Sequence, residues 1–263
     1  MSGGSSLHLD RSGDPRVARL FLNRPDIRNA FDDRMIAEMT ENVEALGGDP
    51  SVRVVVLGGH GKAFCAGADL NWMRKMASYS LEENIRDSSA LAAMFRALDS
   101  IPKPLIGRVH GAALGGGTGL AAVCDMVVAA EGTLFGTTEV RLGLVPAVIS
   151  PYVLRKIGEA NARVWFLTGE RVEAREAMRA GLVHVVVPEA SLDEAVGKLV
   201  TACLQGGPEA LSEAKRLATA GFQPVDERIR QTVASIAQRR VSDEGQEGMN
   251  AFLSRRPPGW VRP

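Results

Sequence analysis

Ala113-Leu114-Gly115-Gly116-Gly117-Thr118-Gly119-Leu120 and, earlier, Phe64-Cys65-Ala66-Gly67-Ala68-Asp69-Leu70 are two turns of small residues, each following an apolar run and leading into a predicted helix. Glycine and alanine let a backbone come close to a ligand. A helix start leaves N–H groups without intrahelical acceptors, and these carry partial positive charge. Two such turns can aim two N–H groups at one oxygen atom, which is the geometry of an oxyanion hole.

Outward from these turns the chain alternates. Val17–Leu22 is an apolar-rich run that stops at the turn signal Asn23-Arg24-Pro25-Asp26. Met35, Ile36, Met39, Val43 and Leu46 fall at helical spacing, and Gly47-Gly48 closes that helix. Residues 52–57 are rich in β-branched side chains and predict a buried strand, ended by Gly58-Gly59-His60-Gly61. A long helix is predicted over 84–100, then strands at Leu105–Val109, Met126–Ala130 and Leu134–Gly136, with a helix at Gly116–Val123 between them. Residues 138–142 form a turn carrying Glu139 and Arg141. This order predicts an α/β fold with a mainly parallel sheet. From Pro151 onward the pattern is almost wholly helical, with helices expected at 192–203, 209–220, 226–241 and 244–253. Such a region must pack on the core, on a neighbouring subunit, or on both.

Lys plus Arg and Asp plus Glu both number 31, so bulk charge predicts no nucleic-acid or acidic-membrane partner. The three cysteines, Cys65, Cys124 and Cys203, lie far apart without CxxC spacing, which points to buried reduced thiols and no metal site. No apolar run is long enough for a membrane span. The small, polar start reads as a frayed end without signal-peptide character, and a cytoplasmic location is expected. The glycine-rich turn lacks the dinucleotide fingerprint, so no NAD site is expected. His110 and His184 adjoin strand ends and read as satisfied core histidines; no Ser-His-Asp arrangement has motif support.

Several motifs, in order and spacing, carry a resemblance: Asn23-Arg24-Pro25 with Asn29-Ala30, Lys62-Ala63-Phe64-Cys65-Ala66-Gly67-Ala68-Asp69-Leu70, Gly111-Ala112-Ala113-Leu114-Gly115-Gly116-Gly117, Cys124-Asp125, and Glu139-Val140-Arg141-Leu142-Gly143-Leu144. The chain resembles the enoyl-CoA hydratase/isomerase family, the crotonases, from about residue 20 to 253. The resemblance implies a crotonase-like spiral of ββα units over 1–195 and a helical C-terminal trimerisation region over 196–263, assembled as a homotrimer or a dimer of trimers. It implies an acyl-CoA thioester substrate and no separate cofactor, coenzyme A being part of the substrate. By position, the N–H groups of Ala68 and Gly116 are the thioester oxyanion hole and Glu139 is the acid/base. Ala66, Ala68, Asp69, Leu70 and Asn71 line the coenzyme A path, and Arg28 and Lys62 contact its phosphates. Read without the family, Asp69 is a helix N-cap and Glu139 an ion-pair partner of Arg141.

A thioester carbonyl polarised by two N–H donors has an acidic α-carbon and, when conjugated, an electrophilic β-carbon. One such donor is worth about 2.7–4 kcal/mol of barrier. Two departures from the family pattern stand out. Gly119 occupies the position of a second catalytic glutamate, and 145–151 replace a glycine-rich turn. Gly67–Met73, Gly117–Leu120 and 144–152 look like bacterial hydratases of branched substrates such as 3-methylglutaconyl-CoA, which act in leucine degradation and fatty acid metabolism. The expected function is therefore hydration of a branched 2-enoyl-CoA. The alternatives are a Δ3,Δ2-enoyl-CoA isomerase working with Glu139 alone, or a non-catalytic acyl-CoA- or RNA-binding relative.

Overall fold

A computed structural model describes residues 5–219, 236, 238, 240 and 242–261; most of the helix expected over 226–241 lies outside the described residues. A six-stranded sheet has the order β1-β2-β3-β4-β6-β9, formed by Leu7–Asp10, Val17–Leu22, Val54–Gly59, Leu105–Val109, Met126–Ala130 and Val185–Val187. β1 pairs antiparallel with β2, and every other pairing in this sheet is parallel. A second, three-stranded sheet runs β5-β7-β8, from Ala112–Leu114, Leu134–Gly136 and Val172–Glu173. Isolated parallel bridges Cys65↔Ala113 and Phe31↔Ala68 extend this layer past β5. Each segment from β2 to β7 thus gives one piece to the large sheet and one to the small layer, which is the turn of a spiral.

Helices α1 (Asp33–Gly48), α2 (Leu70–Met76), α3 (Leu81–Ser100), α4 (Gly116–Val123), α5 (Ser150–Thr168) and α6 (Ala174–Ala180) follow the strands. α1 buries Met35, Ile36, Met39, Val43 and Leu46, the stripe its spacing predicts, and the Asp32 side chain caps it by accepting from the Met35 N–H. It runs through Gly47 and Gly48 before stopping at Asp49. α3 starts three residues earlier than its apolar period suggests, because Ser80 and Glu83 form a reciprocal capping box. The main core lies between the two sheets and helices α1, α3, α4 and α5. A smaller cluster on the outer face of the large sheet is covered by α7 (Leu192–Gln205) through Leu192, Val196, Val200 and Cys203. Residue 195 lies inside α7. Helices α8 (Pro208–Thr219) and α9 (Asp243–Leu253) complete the described C-terminal region.

β8 and β9 appear within the stretch whose pattern reads as helical. β9 is held by pairing with β6, and just past β6 the Glu131 N–H donates to Val187 O at 2.8 Å. All three cysteines are buried and free, and burial pushes the Cys65 and Cys124 thiols up to about 12. His110 is buried with Nε2 2.8 Å from Gly61 O, and His184 Nδ1 accepts from the Val127 N–H at 3.0 Å. Among the described residues no helix is long and apolar enough to cross a membrane, and no cluster of side chains is suited to a metal ion.

Candidate active site

The two small-residue turns meet backbone to backbone. Cys65 N–H donates to Ala112 O and Leu114 N–H donates to Cys65 O, each at 3.0 Å. A Cβ on Gly67, where φ is +103°, would stand 3.1 Å from Leu114 O, and one on Gly117 would stand 3.0 Å from Cys65 Cβ and closer still to Cys65 O. The small residues are therefore the condition for the two turns to touch.

That contact fixes both expected oxyanion donors. Phe31 N–H donates to Gly67 O and Asp69 N–H donates to Phe31 O, both at 2.9 Å, which uses the groups on either side of Ala68. In a parallel bridge of this kind the central residue turns its own N–H to the opposite edge. Gly116 is the first residue of α4, and its cap, Gly115, has no side chain to offer. The Gly116 N–H belongs to the first turn, whose donors have no intrahelical acceptor and where the helix dipole favours negative charge. Gly115 is held by its N–H to Gly136 O at 2.8 Å. Thr118, fully buried, locks the same corner: its hydroxyl lies 2.6 Å from Ala113 O and 3.0 Å from Gly136 O and accepts from the Gly136 N–H at 3.1 Å. The Phe31 ring packs where a Gly116 side chain would stand.

Glu139 opens a single 3-10 turn, Glu139–Leu142, closed by Gly143 at φ +71°. Its Oε1 lies 3.2 Å from the position a Cβ on Gly115 would take, so the carboxyl group sits beside the residue preceding the Gly116 donor. Oε2 is buried and, among the described residues, has no hydrogen-bond partner. Burial pushes the Glu139 carboxyl above the ordinary glutamate range, with its own backbone N–H pulling the other way. Arg141 turns instead to the Thr168 carbonyl, 3.4 Å from its Nε.

Asp69 caps α2, accepting from the N–H groups of Asn71 and Trp72 at 2.7 and 3.2 Å, and pairs with Arg24 Nη2 at 3.0 Å. Arg24, to which sequence reading assigns no role, also holds Ala30 O and Asp32, and so ties the Ala68 turn to the start of α1. Leu70 and Asn71 are exposed on the first turn of α2, Lys62 is exposed before the first small-residue turn, and Ala66 is half-buried. Arg28 is exposed too; its carbonyl accepts from the Ala66 N–H at 3.0 Å, so its backbone braces the segment that leads to Ala68. Trp72 and Phe31 pack with ring centroids 5.9 Å apart, and the Trp72 indole donates to Asp87 at 3.1 Å.

Gly119 is buried one turn after Gly116. A Cβ there would stand 2.9 Å from Ile149 Cβ, closer to Ile149 Cγ2, and 3.0 Å from Phe95 Cε1. Ile149 comes from the segment 145–151, so the two departures from the expected motif meet in space.

The profile of the "Enoyl-CoA hydratase/isomerase" family matches residues 13–263. An enoyl-CoA hydratase structure from Shewanella pealeana superposes with a TM-score of 0.91 at 40% identity, covering 97% of this chain and 96% of that one. The 2,3-dehydroadipyl-CoA hydratase of Escherichia coli is 35% identical over 94% of this chain and 96% of its own length. The crotonyl-CoA hydratase of Syntrophomonas wolfei is 32% identical over 94% and 95% respectively. The chain belongs to the enoyl-CoA hydratase/isomerase family and has its crotonase fold. It is an enzyme of the hydro-lyase class.

Proposed function

We propose that the protein hydrates the 2,3-double bond of a branched 2-enoyl-CoA such as 3-methylglutaconyl-CoA, with Glu139 as acid/base and the Ala68 and Gly116 N–H groups as the thioester oxyanion hole. The observation that carries this reading is the Glu139 carboxyl: half-buried, its Oε2 buried with no hydrogen-bond partner among the described residues, and beside Gly115 at the start of α4. Glu139 as carboxylate takes a proton from water as its oxygen bonds to the β-carbon. The electron pair of the double bond moves onto the thioester oxygen, where the two N–H groups receive the charge. Protonated Glu139 then returns a proton to the α-carbon, so water is added and the enzyme ends as it began. Coenzyme A enters as part of the substrate, with Arg28 and Lys62 as phosphate contacts and Ala66, Ala68, Asp69, Leu70 and Asn71 along its path. In this reading the active form is a homotrimer or a dimer of trimers.

Loss of the enoyl-thioester ultraviolet band with crotonyl-CoA or 3-methylglutaconyl-CoA measures the reaction. Glu139→Gln should lower kcat by about 10²–10⁴-fold; turnover equal to the wild type would overturn the assignment. The apolar filling over Gly119 favours a second reading, Δ3,Δ2-enoyl-CoA isomerisation, in which Glu139 alone moves a proton from the α- to the γ-carbon. Conjugation appearing when a 3-enoyl-CoA is supplied, with no 3-hydroxyacyl product by mass spectrometry, would select that reading.

A further inference from the structure

Three positions succeed one another along the first turn of α4. Glu139 stands over Gly115, the oxyanion donor is at Gly116, and Ile149 with Phe95 stands over Gly119. Gly116 and Gly119 are three residues apart on one helix, so they lie on the same face, one above the other. Over Gly116 that face is filled by the Phe31 ring, so whatever occupies the space over Gly119 continues this wall one turn beyond the Gly116 donor, in front of which the reacting carbons of a thioester must lie. Here the occupant is hydrocarbon. Ile149 and Phe95 are buried, and the Phe95 ring is in turn backed by Tyr152, with centroids 5.9 Å apart. Glycine at 119 leaves no side chain between the helix and this wall, and any side chain there would collide with it.

We propose that Ile149 is a specificity-determining residue: its side chain, seated on Gly119, closes the acyl site one turn beyond the oxyanion donor and limits the size of the substituent carried on the β-carbon. The inference rests on the hydratase reading above. A small branch fits against a rigid aliphatic wall, whereas a bulky one meets Ile149 before its thioester oxygen can reach the two N–H groups. A hydrophobic pocket discriminates by about tenfold or more for each group it must accommodate.

The test compares kcat/KM for cinnamoyl-CoA, which carries a β-phenyl group, with that for crotonyl-CoA. In Ile149→Ala the ratio should rise about tenfold over the wild type, while a change of less than about threefold in a folded variant would overturn the proposal. If Ile149→Ala does not fold, Ile149→Val, which trims the same side chain by one methyl, carries the comparison with a smaller rise in the same direction. Gly119→Ala should lose activity through collision with Ile149, and combining it with Ile149→Ala should restore part of that loss; a fully active Gly119→Ala would also overturn the proposal. Wild-type protein that turns over neither substrate is a failure of the hydratase reading. Normal wild-type turnover with an unmoved ratio is a failure of this inference alone.

Discussion

Glu139 holds a carboxyl in a place that disfavours its charge. Burial raises its proton affinity, so the acid limb of kcat/KM should lie above the ordinary carboxylate range, activity being lost as pH falls through the raised value. A limb at the position of an exposed glutamate would contradict this. The same burial bears on stability with a definite sign. A group whose folded pKa is raised favours folding when protonated, and that contribution disappears as pH rises through the folded value. At neutral pH the charged Glu139 therefore works against the fold. Glu139→Gln should be more thermostable than the wild type near pH 7, with the gap narrowing toward acid pH, as scanning calorimetry at several pH values would read. The cysteines are inert by the same physics: Cys65 and Cys124, fully buried and held near 12, should not react with a thiol reagent until the protein unfolds.

At the scale of elements, the candidate site is two helix starts, α2 pinned by its cap Asp69 and α4 by the buried Thr118 hydroxyl. Thr118 joins α4 to β5 and β7 through buried hydrogen bonds, and removing its hydroxyl leaves the Gly136 N–H without that acceptor. Thr118→Val should cost about 1–3 kcal/mol in urea unfolding and also lower kcat, because Gly115 and Gly116 hang from the same corner. α2 depends on Asp69. Asp69→Ala loses the cap and the Arg24 pair, at a cost of about 1–2 kcal/mol, whereas Asp69→Asn keeps an acceptor for the Asn71 and Trp72 N–H groups. If Asp69 acts through the cap, Asp69→Asn should keep a near-native KM and Asp69→Ala should raise it. The two turns are legible in sequence because their requirement is local: small residues, then a helix. Arg24 is not, since its ties to Asp69 span 45 residues and no periodicity links them. Nor is the pairing of Gly119 with Ile149, which joins α4 to the start of α5.

For the whole molecule, the alternation from β2 to β7 reads directly as an α/β fold with a mainly parallel sheet because its strands are compact apolar runs, whereas the spiral is implied only by the family resemblance. Beyond Pro151 the reading is less complete. β9 is a strand by virtue of β6 beside it, and three valines flanked by helices carry no period long enough to announce that. Among the described residues, Leu142, Leu144 and Val145 are apolar and exposed, at 63%, 52% and 70%, at the end of the Glu139 turn and directly after it. Apolar exposure of this kind marks association surfaces. The trimer or hexamer of the proposed function should therefore appear in sedimentation equilibrium, and Leu144→Asp with Val145→Asp should shift the protein toward monomer with reduced kcat. A wild-type monomer at micromolar concentration would remove that assembly from the proposal.

The oxyanion donors proposed at Ala68 and Gly116 are main-chain amides, positioned by a backbone crossing at Cys65 and Ala113. Every residue except proline carries such a proton, so side-chain replacement at these two positions cannot delete the donor; it can only spoil the fit of the turn. In the proposed function the groups that take up charge are thus the same in every residue, and what a mutation at Gly116 would disturb is the packing against Phe31, while the parts proposed to choose the proton path and the acyl shape, Glu139 and Ile149, are single codon changes away from something else. A gene for this fold can drift in what it transforms without first losing its grip on the thioester.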